Sequence, residues 1–126
     1  MLKKFEGFTI WSEDYKSLAN WYKEKFNLKQ VLEVDIPEDK AIAFEIDPSN
    51  DMYLWIGYHS EVKGKTKEPY RLMISYFVDD VDKIYETLKE RGVEFIAEPH
   101  DSPTGDLRVL TAKDLDGNII QMFSKL

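Results

Sequence analysis

Cysteine and histidine, the side chains that most often act as nucleophiles or transition-metal ligands, are absent or rare in this sequence. The chain contains no cysteine and two histidines, His59 and His100, which excludes a disulfide framework, a cysteine nucleophile and a thiolate metal site. His59 follows a predicted strand and His100 lies in a predicted loop, and a histidine in such a place is more often exposed than a metal ligand. Glycine-rich phosphate loops, GxSxG elbows and HExxH zinc motifs do not occur.

One polar candidate is Gln121, which lies in the segment DLDGNIIQMF at residues 114–123. The sequence Asp116-Gly117-Asn118 is typical of a tight turn, and the strand after it is apolar except for this one amide. Because a buried amide needs hydrogen-bond partners, Gln121 is expected to face either water or a group that uses the amide, such as a ligand. Its partners could also be the backbone or Ser75, without any ligand.

The elements that must position these residues follow from hydrophobic periodicity and turn signals. The first half of the chain predicts a strand, a helix and three further strands, at 8–11, 14–26, and near 29–36, 41–46 and 52–58. The second half predicts the same order, with a strand at 71–78, a helix at 80–91 that stops at Gly92, and strands near 93–97, 107–112 and 118–123.

The two halves align with a constant offset of 66 residues, which places Asp14 on Asp80 and Leu18 on Ile84. Each half is therefore a βαβββ module, and two modules must pair, within one chain or between chains, because neither can bury its sheet alone. The expected fold class is α+β, with two tandem βαβββ modules forming a cupped mixed sheet and the helices on the outside. The single domain, 1–126, is expected to consist of module 1 (1–59), a polar linker (60–70) and module 2 (71–126).

Paired βαβββ modules, the segment FVDDVDKIYETLKERGVEF at residues 77–95 and the D-x-DGN turn near the end resemble the vicinal oxygen chelate superfamily. This superfamily includes glyoxalase I, extradiol dioxygenases, fosfomycin-modifying enzymes and the bleomycin-resistance binding proteins. The resemblance covers nearly the whole chain. It implies the fold more strongly than the function, because one fold serves many chemistries.

In metal-using members of that superfamily, each module supplies two metal ligands from its first and last strands to the concave face of the sheet. The resemblance carries these positions over to Gly7, Trp55, Met73 and Gln121. A divalent ion needs several nitrogen or oxygen donors, whereas these four residues provide one amide and one thioether. The expectation is therefore a protein without a metal or another cofactor.

Strand alternation predicts which side chains share the concave face with Gln121, since residues two apart point to the same side of a sheet. The expected face is aromatic with a few polar groups, which is the composition of a ligand site. An inert second core remains the other interpretation, and Glu45 could equally face solvent at a sheet edge. The expected ligand-binding residues are Thr9, Trp11, Glu45, Tyr53, Trp55, Met73, Ser75, Phe77, Gln121 and Phe123.

The charge balance and the apolar pattern limit the possible partners. Seventeen basic and twenty-four acidic residues give a formal net charge of −7, which opposes nucleic-acid binding because phosphate contacts need a basic face. No apolar run approaches the roughly 18 residues of a membrane helix, so a cytoplasmic protein without membrane contact is expected. The resemblance further implies a homodimer.

The leading functional hypothesis is a metal-independent small-molecule binding protein of the bleomycin-resistance type, which holds an aromatic or cationic ligand in a Trp-lined crevice. The alternative is an enzyme of the same superfamily, either a metal-dependent lyase or dioxygenase, or an isomerase that uses Glu45 as an acid–base group. A third possibility is a closed crevice in a domain that only mediates protein contacts.

Overall fold

The computed structural model describes the whole chain, Met1–Leu126. The chain forms two compact units, Met1–Gly64 (unit 1) and Lys65–Leu126 (unit 2). Each unit contains one four-stranded mixed sheet and one α-helix that packs on that sheet. The predicted α+β class with two tandem modules is confirmed. No helix is both long enough and apolar enough to cross a membrane.

Unit 1 has the predicted βαβββ order. Its elements are β1 (Gly7–Ser12), α1 (Tyr15–Phe26), β2 (Lys29–Ile36), β3 (Asp39–Asp47) and β4 (Met52–Tyr58). The strand order in the sheet is β1-β4-β3-β2. The pair β1–β4 is parallel and the other two pairs are antiparallel, so β1 and β2 form the edges of this sheet.

Local signals explain where α1 begins and ends. The Asp14 side chain accepts a hydrogen bond from the backbone N–H of Ser17, and Asn27 ends the helix in the left-handed conformation, which asparagine adopts more readily than most residues. The helix buries Leu18 and Tyr22. The sheet face toward α1 consists of buried apolar side chains, namely Ile10, Ile42, Phe44, Leu54 and Ile56.

Unit 2 repeats this architecture. Its elements are β5 (Met73–Phe77), α2 (Val81–Glu90), β6 (Glu94–Asp101), β7 (Leu107–Lys113) and β8 (Ile119–Lys125), with the strand order β5-β8-β7-β6. The Asp80 side chain accepts a hydrogen bond from the backbone N–H of Lys83 at the start of α2. After the helix, Gly92 has a φ of +79°, which glycine adopts without steric cost.

The predicted repeat extends to the hydrogen-bond register of the strands. Thr9 lies opposite Trp55 in the pair β1–β4, and Ser75 lies opposite Gln121 in the pair β5–β8; both members of the second pair are 66 residues further along. The neighbouring pairs differ, because Trp55 lies opposite Ala43 whereas Gln121 lies opposite Thr111. The offset of 66 would place Val109 opposite Gln121, so the actual partner, Thr111, is shifted by two residues. Because this shift is even, every side chain stays on its expected face.

The D-x-DGN segment is a turn organised by the buried carboxylate of Asp114. This carboxylate accepts hydrogen bonds from the backbone N–H groups of Asp116 and Asn118, both at 2.9 Å, and from the Asn118 side-chain amide. Gly117 in the same turn has a φ of +84°, where a side chain would be strained. The motif is therefore structural, and it sets where the strand that carries Gln121 begins.

The prediction that His100 lies in a loop is wrong. His100 is part of β6 and lies opposite Val109 of β7. The strand continues through Pro99 because β6 is an edge strand, and an edge strand tolerates a proline since one side of its backbone forms no ladder hydrogen bonds.

Residues 60–70, the predicted linker, contain neither helix nor regular strand. The backbone N–H of Gly64 donates to the Glu13 carboxylate at 3.0 Å within unit 1. The backbone N–H of Thr66 donates to the Asp116 carbonyl at 2.9 Å within unit 2. Each end of this segment is therefore held by hydrogen bonds to its own unit.

Candidate functional site

The candidate site of unit 1 is the sheet face opposite α1, which we call the open face of unit 1. Strand pairing arranges its side chains in rows that cross the sheet from β1 through β4 and β3 to β2. All the residues of this module that the sequence analysis proposed as ligand-binding share this face. The three rows are Trp11, Gly57, Ala41 and Val34; then Thr9, Trp55, Ala43 and Leu32; then Gly7, Tyr53, Glu45 and Lys29.

Trp11 is the most exposed tryptophan on the open face of unit 1, and its position depends on Gly57. A Cβ atom at Gly57 would lie 2.7 Å from Cζ3 and 3.0 Å from Cε3 of Trp11, so the indole packs directly on the backbone of β4. The His59 ring meets the indole edge-on, with ring centroids 5.5 Å apart. Trp11 nevertheless remains 44% exposed. The arrangement holds a large aromatic ring in place while leaving much of it accessible.

A second tryptophan on this face, Trp55, is oriented by a hydrogen bond. Its indole Nε1–H donates to the Glu6 carboxylate at 3.3 Å. Trp55 and its row neighbour Tyr53 are half-buried. The polar edge of the Trp55 ring is therefore engaged within unit 1, and only its apolar surface is available for further contacts.

Glu45 lies on β3, an inner strand of the sheet, and not at a sheet edge. Its side chain is 26% exposed and lies 3.9 Å from the ammonium group of Lys29. Because the Lys29 side chain is 76% exposed, solvent screens this ion pair and makes it weak. The Glu45 carboxylate can therefore pair with another cation in place of the Lys29 ammonium group.

The corresponding open face of unit 2 is the sheet face opposite α2. It carries the remaining residues that the sequence analysis proposed, arranged in rows from β5 through β8 and β7 to β6. The rows are Phe77, Phe123, Val109 and His100; then Ser75, Gln121, Thr111 and Ala97; then Met73, Ile119, Lys113 and Glu94.

The middle row of unit 2 places three polar side chains next to one another. Ser75 is exposed, and Gln121 and Thr111 are half-buried. None of these three side chains hydrogen-bonds to another group of the chain. The Gln121 amide is therefore engaged neither by the backbone nor by Ser75, although Ser75 lies directly opposite it.

The first row of unit 2 begins with two aromatic side chains, of which Phe77 is exposed and Phe123 is half-buried. The rings of Phe77 and Phe123 have centroids 5.8 Å apart, within the range of favourable aromatic pairs. Phe77 is 74% exposed and Met73, at the other end of β5, is 46% exposed. Apolar surface therefore flanks the polar row on both sides along β5.

The residues at the metal-ligand positions that the resemblance implies do not form a donor set for a divalent ion. A side chain at Gly7 would place its Cβ 2.1 Å from the Tyr53 carbonyl oxygen, and the indole N–H of Trp55 is a donor already bonded to Glu6. In unit 2 these positions hold the Met73 thioether and the single amide of Gln121. No group of three or more His, Asp or Glu side chains is arranged as a metal site.

One strongly shifted titratable group lies behind the open face of unit 2. Burial raises the pKa of the Tyr76 phenol, and the nearby Asp114 carboxylate raises it further. Tyr76 alternates with Ser75 and Phe77 along β5 and therefore points to the opposite side. The phenol is neutral at physiological pH with or without this shift, so the raised pKa does not mark a catalytic group.

The predicted ligand-binding set omitted several residues that belong to these rows or that position their members. Gly57 and His59 determine the position of Trp11, and Thr111 and His100 extend the rows of unit 2. Alternation along 107–112 was a usable signal for Thr111. The place of His100 depends on two register irregularities in the pair β6–β7, which local sequence does not reveal.

Residues 4–122 match the family model for the Glyoxalase/Bleomycin resistance protein/Dioxygenase superfamily. The uncharacterized protein YraH of Bacillus subtilis (strain 168) is 25% identical over 119 residues, which are 90% of this chain and 91% of YraH.

Two crystal structures show the same architecture. A member of the glyoxalase/bleomycin resistance protein/dioxygenase superfamily from Sphaerobacter thermophilus DSM 20745 superposes with a TM-score of 0.80 at 22% identity, covering 98% of each chain. TnmS3, an antibiotic binding protein from Streptomyces sp. CB03234, superposes with a TM-score of 0.76 at 19% identity, covering 99% of this chain and 98% of TnmS3. At these identities the likeness establishes the fold alone.

Proposed function

The chain belongs to the glyoxalase/bleomycin resistance protein/dioxygenase superfamily, and on this premise we propose that it is a metal-independent binding protein for a small aromatic or cationic molecule. The resemblance drawn from residues 77–95 and the D-x-DGN turn is confirmed by the family match. Membership alone does not choose between binding and catalysis, since one fold carries many chemistries. The choice rests on the side chains of the open faces.

The observation that carries the proposal is the preformed aromatic surface of unit 1. Trp11 is held by Gly57 and His59 and is still 44% exposed, and Trp55 is oriented by Glu6. Rings that are already fixed lose little side-chain entropy when a ligand binds. Stacking of a planar or cationic group on such a ring contributes about 0.5 to 2 kcal/mol.

The charged groups near these rings favour a cation over an anion. The Glu6 carboxylate lies at the edge of Trp55, and the Glu45 carboxylate shares the open face of unit 1, paired only weakly with Lys29. The formal net charge of −7 adds a long-range attraction for cations that falls with ionic strength.

Metal independence is part of the proposal because the donor set is unsuitable. Gly7 and Trp55 supply no ligand atom, and Met73 and Gln121 together supply one soft thioether and one neutral amide. Divalent ions of the zinc and nickel type bind several nitrogen, oxygen or thiolate ligands. TnmS3, which has the same fold, is an antibiotic binding protein, and this supports a small organic molecule as the partner of the present chain.

Fluorescence of the open-face tryptophans tests this proposal. Trp21 lies on α1, where its ring contacts Tyr22 and Phe26, so the Trp21→Phe variant leaves Trp11 and Trp55 as the only indole emitters. We expect saturable quenching of this variant by N-methylquinolinium, a planar cation, and by 2-quinolone, a neutral planar molecule. EDTA should leave both titrations unchanged.

The matched control retains Trp21 and replaces the other two tryptophans, in the variant Trp11→Phe/Trp55→Phe. It should show only the weak linear quenching of free collisions. Absence of saturation with both probes in the Trp21→Phe variant would overturn the binding role. Near-stoichiometric retention of Ni²⁺, Zn²⁺, Mn²⁺ or Fe²⁺ after dialysis would overturn metal independence and support the metal-dependent enzyme instead.

A further inference from the structure

The side chains of the polar row of unit 2, formed by Ser75, Gln121 and Thr111, make no hydrogen bond within the chain. We infer that this row is a hydrogen-bonding subsite for an uncharged planar ligand that carries a donor and an acceptor side by side, as a lactam does. This inference rests on the proposed function and specifies the class of ligand that the open face of unit 2 would select.

The spacing of the row suits one ligand edge. Ser75 and Thr111 lie directly opposite Gln121 on its two sides, and directly opposite residues of neighbouring strands have Cβ atoms about 5 Å apart. A carboxamide presents an N–H donor beside a carbonyl acceptor, and each hydroxyl can either donate or accept. The Gln121 carboxamide can therefore pair with two adjacent polar atoms of one flat molecule, and a hydroxyl beside it can form a further hydrogen bond to the same edge.

The hydrogen-bonding capacity of the row is unused within the protein. None of the three side chains bonds to another group of the chain, while Gln121 and Thr111 are already half-buried. A ligand that covers these groups displaces their water. It must replace the lost hydrogen bonds, because an unsatisfied buried polar group costs about 1 to 3 kcal/mol. A purely apolar molecule is therefore disfavoured at this row.

The surroundings of the row define the remainder of the ligand. Phe77 and Phe123 form an accessible aromatic pair on one side of the row, and Met73 and Ile119 lie on the other side. The row itself contains no charged side chain. In the row beyond it, the two charged residues Lys113 and Glu94 lie opposite each other. These surroundings therefore suit a ligand that has an aromatic body and a polar but uncharged edge.

A matched pair of probes tests the subsite. 2-Quinolone carries an N–H donor beside its carbonyl, whereas N-methyl-2-quinolone keeps the carbonyl and the rings but lacks the donor. By isothermal titration on the full chain, we expect 2-quinolone to bind about tenfold more tightly, since one or two net hydrogen bonds account for that ratio.

Three variants assign this preference to the row. In Gln121→Leu the preference should fall to less than about twofold, and in Thr111→Val it should be reduced, while binding of the N-methyl compound changes little. Thr87→Val is the control for loss of a hydroxyl, because the Thr87 hydroxyl donates to the Lys83 carbonyl on α2 at 3.3 Å, away from the open face. It should retain the full preference. Circular dichroism establishes that each variant is folded, and Thr111→Val decides the question if Gln121→Leu does not fold.

The possible failures are distinguishable. Equal binding of both probes, unchanged by Gln121→Leu and Thr111→Val, would overturn the subsite and leave the proposed binding function standing. No binding of either probe, together with no saturation in the tryptophan titrations, would overturn both. A change in the sedimentation mass of Gln121→Leu without a change in probe preference would also overturn the subsite, because it would show that a second copy of the chain covers this face.

Discussion

Among the single residues, Gly57 has the most direct influence on the shape of the open face of unit 1. Its missing side chain is the space that the Trp11 indole occupies, 2.7 Å from where a Cβ would lie. Gly7 has a similar effect on β1, where a Cβ would meet the Tyr53 carbonyl oxygen at 2.1 Å. Gly57 thus allows the Trp11 ring to lie on this face. Gly7 leaves one of the implied metal-ligand positions without a side chain.

We predict that Gly57→Ala displaces the Trp11 ring and weakens binding of N-methylquinolinium severalfold. A methyl group at 2.7 Å from a ring atom cannot be accommodated without movement, and overpacking of this kind destabilises a protein by about 1 to 3 kcal/mol. Acrylamide quenching of the Trp21→Phe background reports the movement of Trp11, and titration reports the affinity.

A double-mutant cycle provides the control for this prediction. If Gly57 acts through Trp11, the Gly57→Ala change should have little further effect on affinity once Trp11 has been replaced by alanine. Equal losses from Gly57→Ala in the presence and the absence of Trp11 would contradict this role.

At the scale of secondary-structure elements, the two helices begin in the same way, each at an aspartate N-cap. Asp14 caps α1 and Asp80 caps α2, each accepting a hydrogen bond from the backbone N–H three residues further on. Asp14 follows β1 and Asp80 follows β5, and the favourable interaction of each carboxylate with its helix N-terminus gives it a sufficient structural use.

The Asp14 cap predicts a pH-dependent contribution to stability. Hydrogen bonds from the Ser17 side chain and backbone lower the pKa of Asp14 below its ordinary value of 3.8. A carboxyl group with a lowered pKa in the folded state stabilises the protein above its unfolded-state pKa, and this stabilisation is lost as the pH falls through the folded-state pKa. Wild type should therefore be more stable than Asp14→Asn at pH 7, and the difference should shrink below about pH 4.

Urea unfolding of both proteins at pH 7, 5 and 3 measures this difference. Asp39→Asn is the matched control, because Asp39 is exposed and its side chain forms no hydrogen bond or ion pair. A wild-type advantage over Asp14→Asn that is the same at pH 3 as at pH 7 would contradict the assignment.

At the scale of the whole molecule, we propose that the chain forms a homodimer through exposed apolar residues. Tyr70 is 79% exposed and Leu72 is 67% exposed, just before the edge strand β5. Clusters of large exposed apolar side chains on a soluble protein are characteristic of interaction surfaces, and the superfamily resemblance implies the same assembly.

Sedimentation equilibrium should therefore give twice the mass of one chain at micromolar concentration, and Leu72→Asp should weaken the association. Leu115→Asp is the control, since Leu115 is also exposed, at 43%, but lies in the turn that precedes β8 and not in the segment that carries Tyr70 and Leu72. A mass of one chain at every concentration tested would contradict the homodimer.

The sequence by itself determined the features that depend on local interactions. Asp14, Asp80 and Gly92 are helix signals whose effect is confined to a few residues, and the D-x-DGN turn is organised by Asp114 within its own segment. The repeat of 66 residues follows from the same signals recurring in the same order. For these reasons the element order and the fold class were predictable.

Only the tertiary structure decided which side chains share a row. Rows depend on pairing between distant strands, and a bulge or a shift of the register moves a residue to a different partner. Such pairing places Thr111 beside Gln121, His100 beside Val109, and Lys29 beside Glu45. The same applies to the packing of Trp11 on Gly57, because no local pattern reports a contact between two strands that are separated by a helix and two further strands.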